Sequence, residues 1–196
     1  MQRHIQDPFV KQAQQQGKRS RASFKLQQIN EKDKILKPGQ IILDLGAAPG
    51  GWSQIAAQKV GVHGQIIALD LLDMAPINGV TFIKGDFLSE AVQQEIDSLL
   101  KQKKADLILS DMAPNMSGIA MVDQSKVMYL AETALDLAND WLKPGGAFLV
   151  KLFQGRGVES FHISVRKRFK KTVIRKPEAS RSESKEYYLL ATGYNV

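Results

Sequence analysis

The chain of 196 residues contains no cysteine, an absence that removes whole classes of chemistry before any motif is read. Disulfides, thiolate-bound metals and attack by a cysteine nucleophile are all excluded. Histidine is scarce as well: His4, His63 and His162 stand far apart without metal-ligand spacing, so surface or loop positions are expected for them and no metal site is. No apolar run approaches the roughly 18 residues of a membrane span, and residues 1–11 lack the apolar segment of a secretory signal. A cytoplasmic chain with no membrane partner is expected. Repeats and low-complexity linkers are missing too, and 43% hydrophobic residues at this length fit a single domain over 1–196.

What is present is basic charge, unevenly placed. Residues 1–37 hold nine Lys/Arg against three acids and residues 156–185 hold ten against three, whereas 38–155 carries eight bases and thirteen acids. The net charge of +7 therefore resides in two basic ends that flank an acidic middle. Such segregation fits two arms meeting phosphates beside a catalytic face, and nucleic acid is the partner class it favours. Arg166, Lys167, Arg168, Lys170 and Lys171 form the densest cluster, for which the plainer alternative is the solvated side of a helix end.

Periodicity predicts strands near 41–45, 65–70, 80–84, 106–111, 147–153, 172–176 and 186–193, and helices near 21–33, 52–60, 89–103, 124–141 and 158–169. Pro38-Gly39 and Pro144-Gly145-Gly146 act as breakers ahead of two strands. The alternation implies an α/β fold, a mostly parallel sheet with helices on both faces. Little room separates the last two of the seven strands, which suits a final antiparallel strand inserted beside its neighbour.

Ligands of such sheets gather at the carboxyl ends of the strands. Ile41 to Leu45 runs into Gly46-Ala47-Ala48-Pro49-Gly50-Gly51-Trp52, and Asp70 closes the next apolar run. A glycine turn, a helix start and a carboxylate at the following strand end make a nucleoside pocket in which the acid accepts ribose hydroxyls. Ala47, Ala48 and Pro49 occupy the space a pyrophosphate needs, so S-adenosylmethionine is favoured over NAD. Asp44, Asp86 and Asp111 also fall at strand ends, where any one of them alone could equally be a cap or turn former. Lys151 interrupts the apolar run Ala147 to Phe153; unless it only snorkels to the strand end, it needs a partner. Desolvated beside Asp111 and a second lysine, such a side chain can take a proton. Methyl transfer from a sulfonium to a ribose hydroxyl needs that step, with the oxygen held in line with the methyl, and no metal.

Five stretches in order, Ser20-Arg21-Ala22-Ser23-Phe24-Lys25-Leu26, Asp44 to Trp52, Ser110-Asp111-Met112-Ala113-Pro114-Asn115, Val150-Lys151-Leu152-Phe153-Gln154-Gly155 and Ser184-Lys185-Glu186-Tyr187-Tyr188, resemble the FtsJ (RrmJ, RlmE) family of ribose 2′-O-methyltransferases. The resemblance spans nearly the whole chain. It implies a Rossmann-like class I methyltransferase fold, S-adenosylmethionine as donor with S-adenosylhomocysteine as product, and a uridine ribose in the A-loop of 23S ribosomal RNA as target, on the assembled large (50S) subunit. It implies a tetrad of Lys25, Asp111, Lys151 and Glu186. Lys151 would be the base, Lys25 and Asp111 would orient the hydroxyl, and Glu186 would fix the lysines, with Glu183 its rival. Gly50, Trp52, Asp70, Asp86 and Asp111 would contact the cofactor, Asp70 at the ribose and Asp86 near the adenine. The basic segment 1–37 would serve RNA binding and catalysis in a monomer.

Three rivals are weighed. A base N-methyltransferase places an Asp/Asn-Pro-Pro-aromatic loop after the fourth strand, and Asp111-Met112-Ala113-Pro114 lacks its second proline and aromatic. A nonenzymatic RNA-binding protein has no use for a lysine in a buried strand. An NAD oxidoreductase is the third, and the filled glycine loop weighs against it; within 2′-O methylation, transfer RNA is an alternative substrate. Trp141 is expected in the core.

Overall fold

The computed structural model describes residues 7–181 and 183–195, so His4 lies outside the described residues. Helices α1 (Pro8–Gln15) and α2 (Ala22–Asp33) precede β1 (Ile41–Leu45), α3 (Gly51–Val60), a short 3-10 turn at Gly61–His63, β2 (Gln65–Asp70) and β3 (Val80–Lys84). Then follow α4 (Glu90–Leu100), β4 (Ala105–Ser110), α5 (Ala120–Trp141), β5 (Leu142–Phe153), α6 (Val158–Arg168), β6 (Phe169–Arg175) and β7 (Glu186–Tyr194).

The strands form one seven-stranded sheet in the order β3-β2-β1-β4-β5-β7-β6. β1 to β5 are parallel, and β7 enters between β5 and β6 antiparallel to both. Alternate side chains point to opposite faces, and both faces are apolar because both are covered. Ile42, Ile66, Leu107, Leu149 and Leu190 pack under α2 and α3 against Leu26, Ile29, Trp52 and Ile55. Leu43, Ile67, Ile108, Phe148 and Leu189 pack under α4, α5 and α6 against Ile96, Leu135, Trp141 and Phe161. This is the Rossmann-like, doubly wound arrangement that the sequence pattern implies. No helix among the described residues is long and apolar enough to cross a membrane.

Several boundaries differ from the periodicity for identifiable reasons. The helix α1 is absent from the sequence reading, although Asp7-Pro8 is an N-terminal signal: Asp7 accepts from Phe9 N at 3.0 Å and Pro8 opens the helix. α4 stops at Leu100 rather than near 103 because Lys101 turns left-handed (φ 49°) and its amide closes on Asp97 O. α5 begins at Ala120, ahead of 124, where Asp123 accepts from Ser117 N and Gly118 N at 2.7 and 3.0 Å. Pro144-Gly145-Gly146 does not precede β5 but lies within it, in a register shift between Ala105 and Leu107 of β4. β6 starts at Phe169, directly after α6, its apolar alternation hidden by Lys170 and Lys171. Trp141 is buried as expected, its Nε1 donating to Asp97 Oδ1.

Candidate active site

The period of two places the charged residues of the central strands on one side. Asp44 shares the parity of Ile42, Lys151 that of Leu149, and Glu186 and Tyr188 that of Leu190, so all four face the layer of α2 and α3. β5 and β7 pair Lys151 with Tyr188 and Phe153 with Glu186, bringing Glu186 two residues from the level of Lys151. From the helix above, Lys25 descends between Phe24 and Leu26 and is 8% exposed, against 9% for Lys151.

Two ion pairs result. Lys151 Nζ donates to the backbone oxygen of Asp111 at 2.6 Å and stands 3.2 Å from its Oδ1. Lys25 Nζ is hydrogen-bonded to Glu186 Oε1, which also accepts from Ser180 Oγ at 2.9 Å. Tyr188 links the pairs: its hydroxyl donates to Asp111 Oδ1 at 2.9 Å, and Lys25 Nζ lies 5.7 Å from its ring centroid. Burial works to raise the Glu186 carboxyl, but the charge and hydrogen bond of Lys25, the Ser180 hydroxyl and the charge of Lys151 hold it below the usual carboxylate range. The Tyr188 phenol is pushed well above its ordinary value by burial, then by the charges of Asp111 and Glu186, so it stays a neutral donor. Glu183 is exposed, and Glu186 is the acid bonded to Lys25.

A cleft of about 930 Å³ opens beside the pairs, and Asp111 belongs to both. Its walls include Gly46, Asp70, Asp111 and Met112 at the strand ends and Met121, Ser125 and Tyr129 of α5. Apolar walls with few polar groups suit a small organic ligand. Asp70 Oδ2 accepts from Ala48 N at 2.9 Å and Oδ1 from Leu72 N at 2.8 Å, which orients the carboxylate at the cleft. Gly46 has φ +75°, and a Cβ there would meet Met112 Cγ at 2.5 Å, so the close approach of these two loops requires glycine.

The other residues given to the cofactor sit differently. A side chain at Gly50 would collide with Ile77, Met74 and Arg19, so that glycine serves the packing of the loop. Trp52 is 2% exposed, its indole donating to Ala22 O and leaning on the Tyr188 ring. What Trp52 can offer a ligand is its amide in the first turn of α3, where intrahelical acceptors are missing. Asp86 is exposed and accepts from Leu88 N at 2.9 Å, while its neighbours Gly85 and Phe87 line the cleft. Asp44 is fully buried, holds Ser53 Oγ at 2.6 Å and fastens α3 to β1.

Tyr188 and Ser180 were not among the residues read from the sequence. Tyr188 could have been found, since a residue two beyond Glu186 on a strand shares its face; Ser180 lies in a loop that no periodicity places. Arg19 and Arg21 hold the Lys25 segment in position. Arg19 donates to Ala75 O and Pro76 O at 2.6 and 2.5 Å, and Arg21 is bonded to Asp7 and Ala179 O. The dense cluster from Arg166 to Lys171 is divided by the fold. Arg168 is bound to Asp136 at 3.0 Å, and Lys171 is level with Ala147, four residues or ~13 Å below Lys151 at ~3.3 Å per residue. Arg168 to Lys171 lie toward the edge of the sheet opposite the site, whereas Arg166 stands higher on α6, near His162 and Tyr187.

A family model described as FtsJ-like methyltransferase matches residues 18–194. The chain is 52% identical over 196 residues to ribosomal RNA large subunit methyltransferase E of Marinobacter nauticus, covering 100% of this chain and 95% of that protein. It is 55% identical over 190 residues to the protein of the same name from Alcanivorax borkumensis, covering 97% and 91%. Among solved structures it is similar to a ribosomal RNA methyltransferase from Plasmodium falciparum, with TM-score 0.80, 28% identity, and coverage of 90% and 98%.

Proposed function

Because the chain belongs to the FtsJ-like methyltransferase family, we propose that it methylates the ribose 2′-hydroxyl of a uridine in the A-loop of 23S ribosomal RNA, on the assembled large subunit, with S-adenosylmethionine as donor. One observation carries the reading: Asp111 lines a cleft shared with Asp70 and Gly46 and also holds Lys151, while Tyr188, bonded to Asp111, lies beside the Lys25–Glu186 pair. A base N-methyltransferase has no use for two lysines so placed.

When bound, S-adenosylmethionine supplies an electrophilic methyl group on a sulfonium. Asp70 accepts the ribose hydroxyls of that ligand with the lone pairs that Ala48 and Leu72 leave free. Asp86 would meet the adenine, Gly50, the Trp52 amide and Asp111 would meet other parts of the ligand, and the apolar walls would cover the rest. The Lys151 amine takes the proton of the RNA hydroxyl as its oxygen attacks. Asp111, through its backbone oxygen and Oδ1, holds that amine next to the cleft. Lys25, held by Glu186, donates to the same RNA oxygen and keeps it aimed. The protein works as a cytoplasmic monomer, and its basic N-terminal segment presents Lys25 to the RNA.

Incubation with a labelled methyl donor and either intact large subunits, protein-free 23S ribosomal RNA or transfer RNA, followed by nucleoside analysis, tests the reading. 2′-O-methyluridine from large subunits is expected. A methylated base would replace the reading with N-methylation, and label in transfer RNA alone would replace its substrate.

A further inference from the structure

A second concavity, of about 530 Å³, opens on the other side of the sheet end, between α6 and the ends of β6 and β7. Its floor is polar: His162 Nε2 and the Tyr187 hydroxyl meet at 3.0 Å. Arg166 and Lys176 stand on its rim, both exposed, with Glu159 as the acid facing them and Gln154 at the end nearest β5. Lys176 spans toward the active edge, its Nζ donating to Ser184 O at 3.0 Å.

The groove adjoins the strand ends that carry the catalytic residues, on the opposite face of the sheet. Tyr187 lies between Glu186 and Tyr188 in the chain and points to the opposite face. Gln154, just past the end of β5 and three residues and ~10 Å beyond Lys151, donates its backbone N–H to Lys185 O at 3.0 Å, which joins the ends of β5 and β7 beside the groove. This concavity, at the strand ends next to Lys151, is lined by two cations, a phenol and an imidazole.

We propose that this groove holds a phosphodiester of the same RNA strand, adjacent to the reacting nucleotide, between the Arg166 and Lys176 cations and over the His162–Tyr187 pair. The inference rests on the RNA methyl-transfer reading and adds a subsite to it. Two cations bracketing neutral donors match a phosphate, which accepts several charge-assisted hydrogen bonds at once. The contact is one of position rather than of base identity, so it sets the register of the ribose at Lys151.

The test measures binding of a protein-free 23S RNA fragment to the full chain across a salt series, without methyl donor, for Arg166→Gln, Lys176→Gln and, as a control with the same loss of charge, Lys170→Gln and Lys171→Gln. The two groove variants should weaken binding and each lower the slope of log K against log salt by about 0.7, as expected for one single-strand phosphate contact. They should raise KM for RNA more than they lower kcat, with cofactor affinity unchanged. The control pair, toward the far edge, should retain the wild-type slope. Unchanged slopes in both groove variants, or equal losses in the controls, would overturn the subsite. Weakening confined to intact subunits, with naked RNA unaffected, would give the groove to a protein and overturn it as well. Because the readout is binding, it stands apart from the product test: slope losses alongside a methylated base would keep the groove and discard ribose methylation.

Discussion

The Tyr188 hydroxyl donates to Asp111 Oδ1 at 2.9 Å, and that same oxygen stands 3.2 Å from Lys151 Nζ. The phenol is buried and neutral over the working pH range, so it fixes the carboxylate without competing for charge. A hydrogen bond to an ionised group contributes about 1.5–3 kcal/mol. Tyr188→Phe should therefore lower kcat by about 10- to 100-fold while cofactor affinity and the fold persist. Single-turnover methyl transfer with a parallel thermal melt checks this, and an unchanged rate would remove Tyr188 from the machinery.

Lys151 is distinguished from a mere positive charge by comparing two substitutions. Lys151→Ala should abolish methyl transfer with cofactor affinity within about twofold, and Lys151→Arg should not restore it, because a guanidinium stays protonated. Activity in the arginine variant would make the residue an electrostatic holder and move the proton elsewhere.

Asp70→Ala should weaken S-adenosylhomocysteine binding by about tenfold or more. It removes the carboxylate and also orphans the amides of Ala48 and Leu72. Asp70→Asn retains an acceptor and should lose less. Titration calorimetry of both variants decides; equal, unchanged affinities would move the ligand's ribose away from β2.

Asp44 links stability to pH. Burial lifts its carboxyl from 3.8 to about 7, with the Ser53 hydrogen bond acting against the rise and the charges of Asp111 and Asp70 with it. Between about pH 4 and pH 7 the folded chain keeps this proton and the unfolded chain has lost it, so the folded state binds more protons and stability from this group falls as pH rises, levelling off above about 7. Glu186 has the opposite sign: its contribution is present above the ordinary carboxylate value and fades as pH falls through its lowered one. Melting curves of wild type and Asp44→Asn should run together on the acid side and separate as pH rises toward about 7, the wild type losing stability relative to the variant; parallel curves would show that Asp44 is not proton-linked.

Much of the site was legible locally. A lysine inside Phe148 to Phe153 announces a partner because the strand around it is apolar, and carboxylates recur where strands end. Trp52 shows the limit. Beside a glycine loop it reads as a ligand contact, whereas its indole is taken up by Ala22 and Tyr188. Local pattern says that an aromatic is near a site and not which way its ring turns. Arg168, Lys170 and Lys171 show the same limit for charge, since density along the chain carries no information about which end of a strand faces the substrate.

By itself the sequence determined the alternation of strands and helices, the two-faced apolar sheet and the parity that sets Glu186 and Tyr188 on one face of their strand, because these follow from the backbone's own periods. Only the tertiary structure decided that Lys25 meets Glu186, that β7 enters beside β5, and that Asp111 serves both a cleft and an ion pair. These depend on which strand edges pair and how a helix settles across them, and those choices are made by packing between segments distant in the chain.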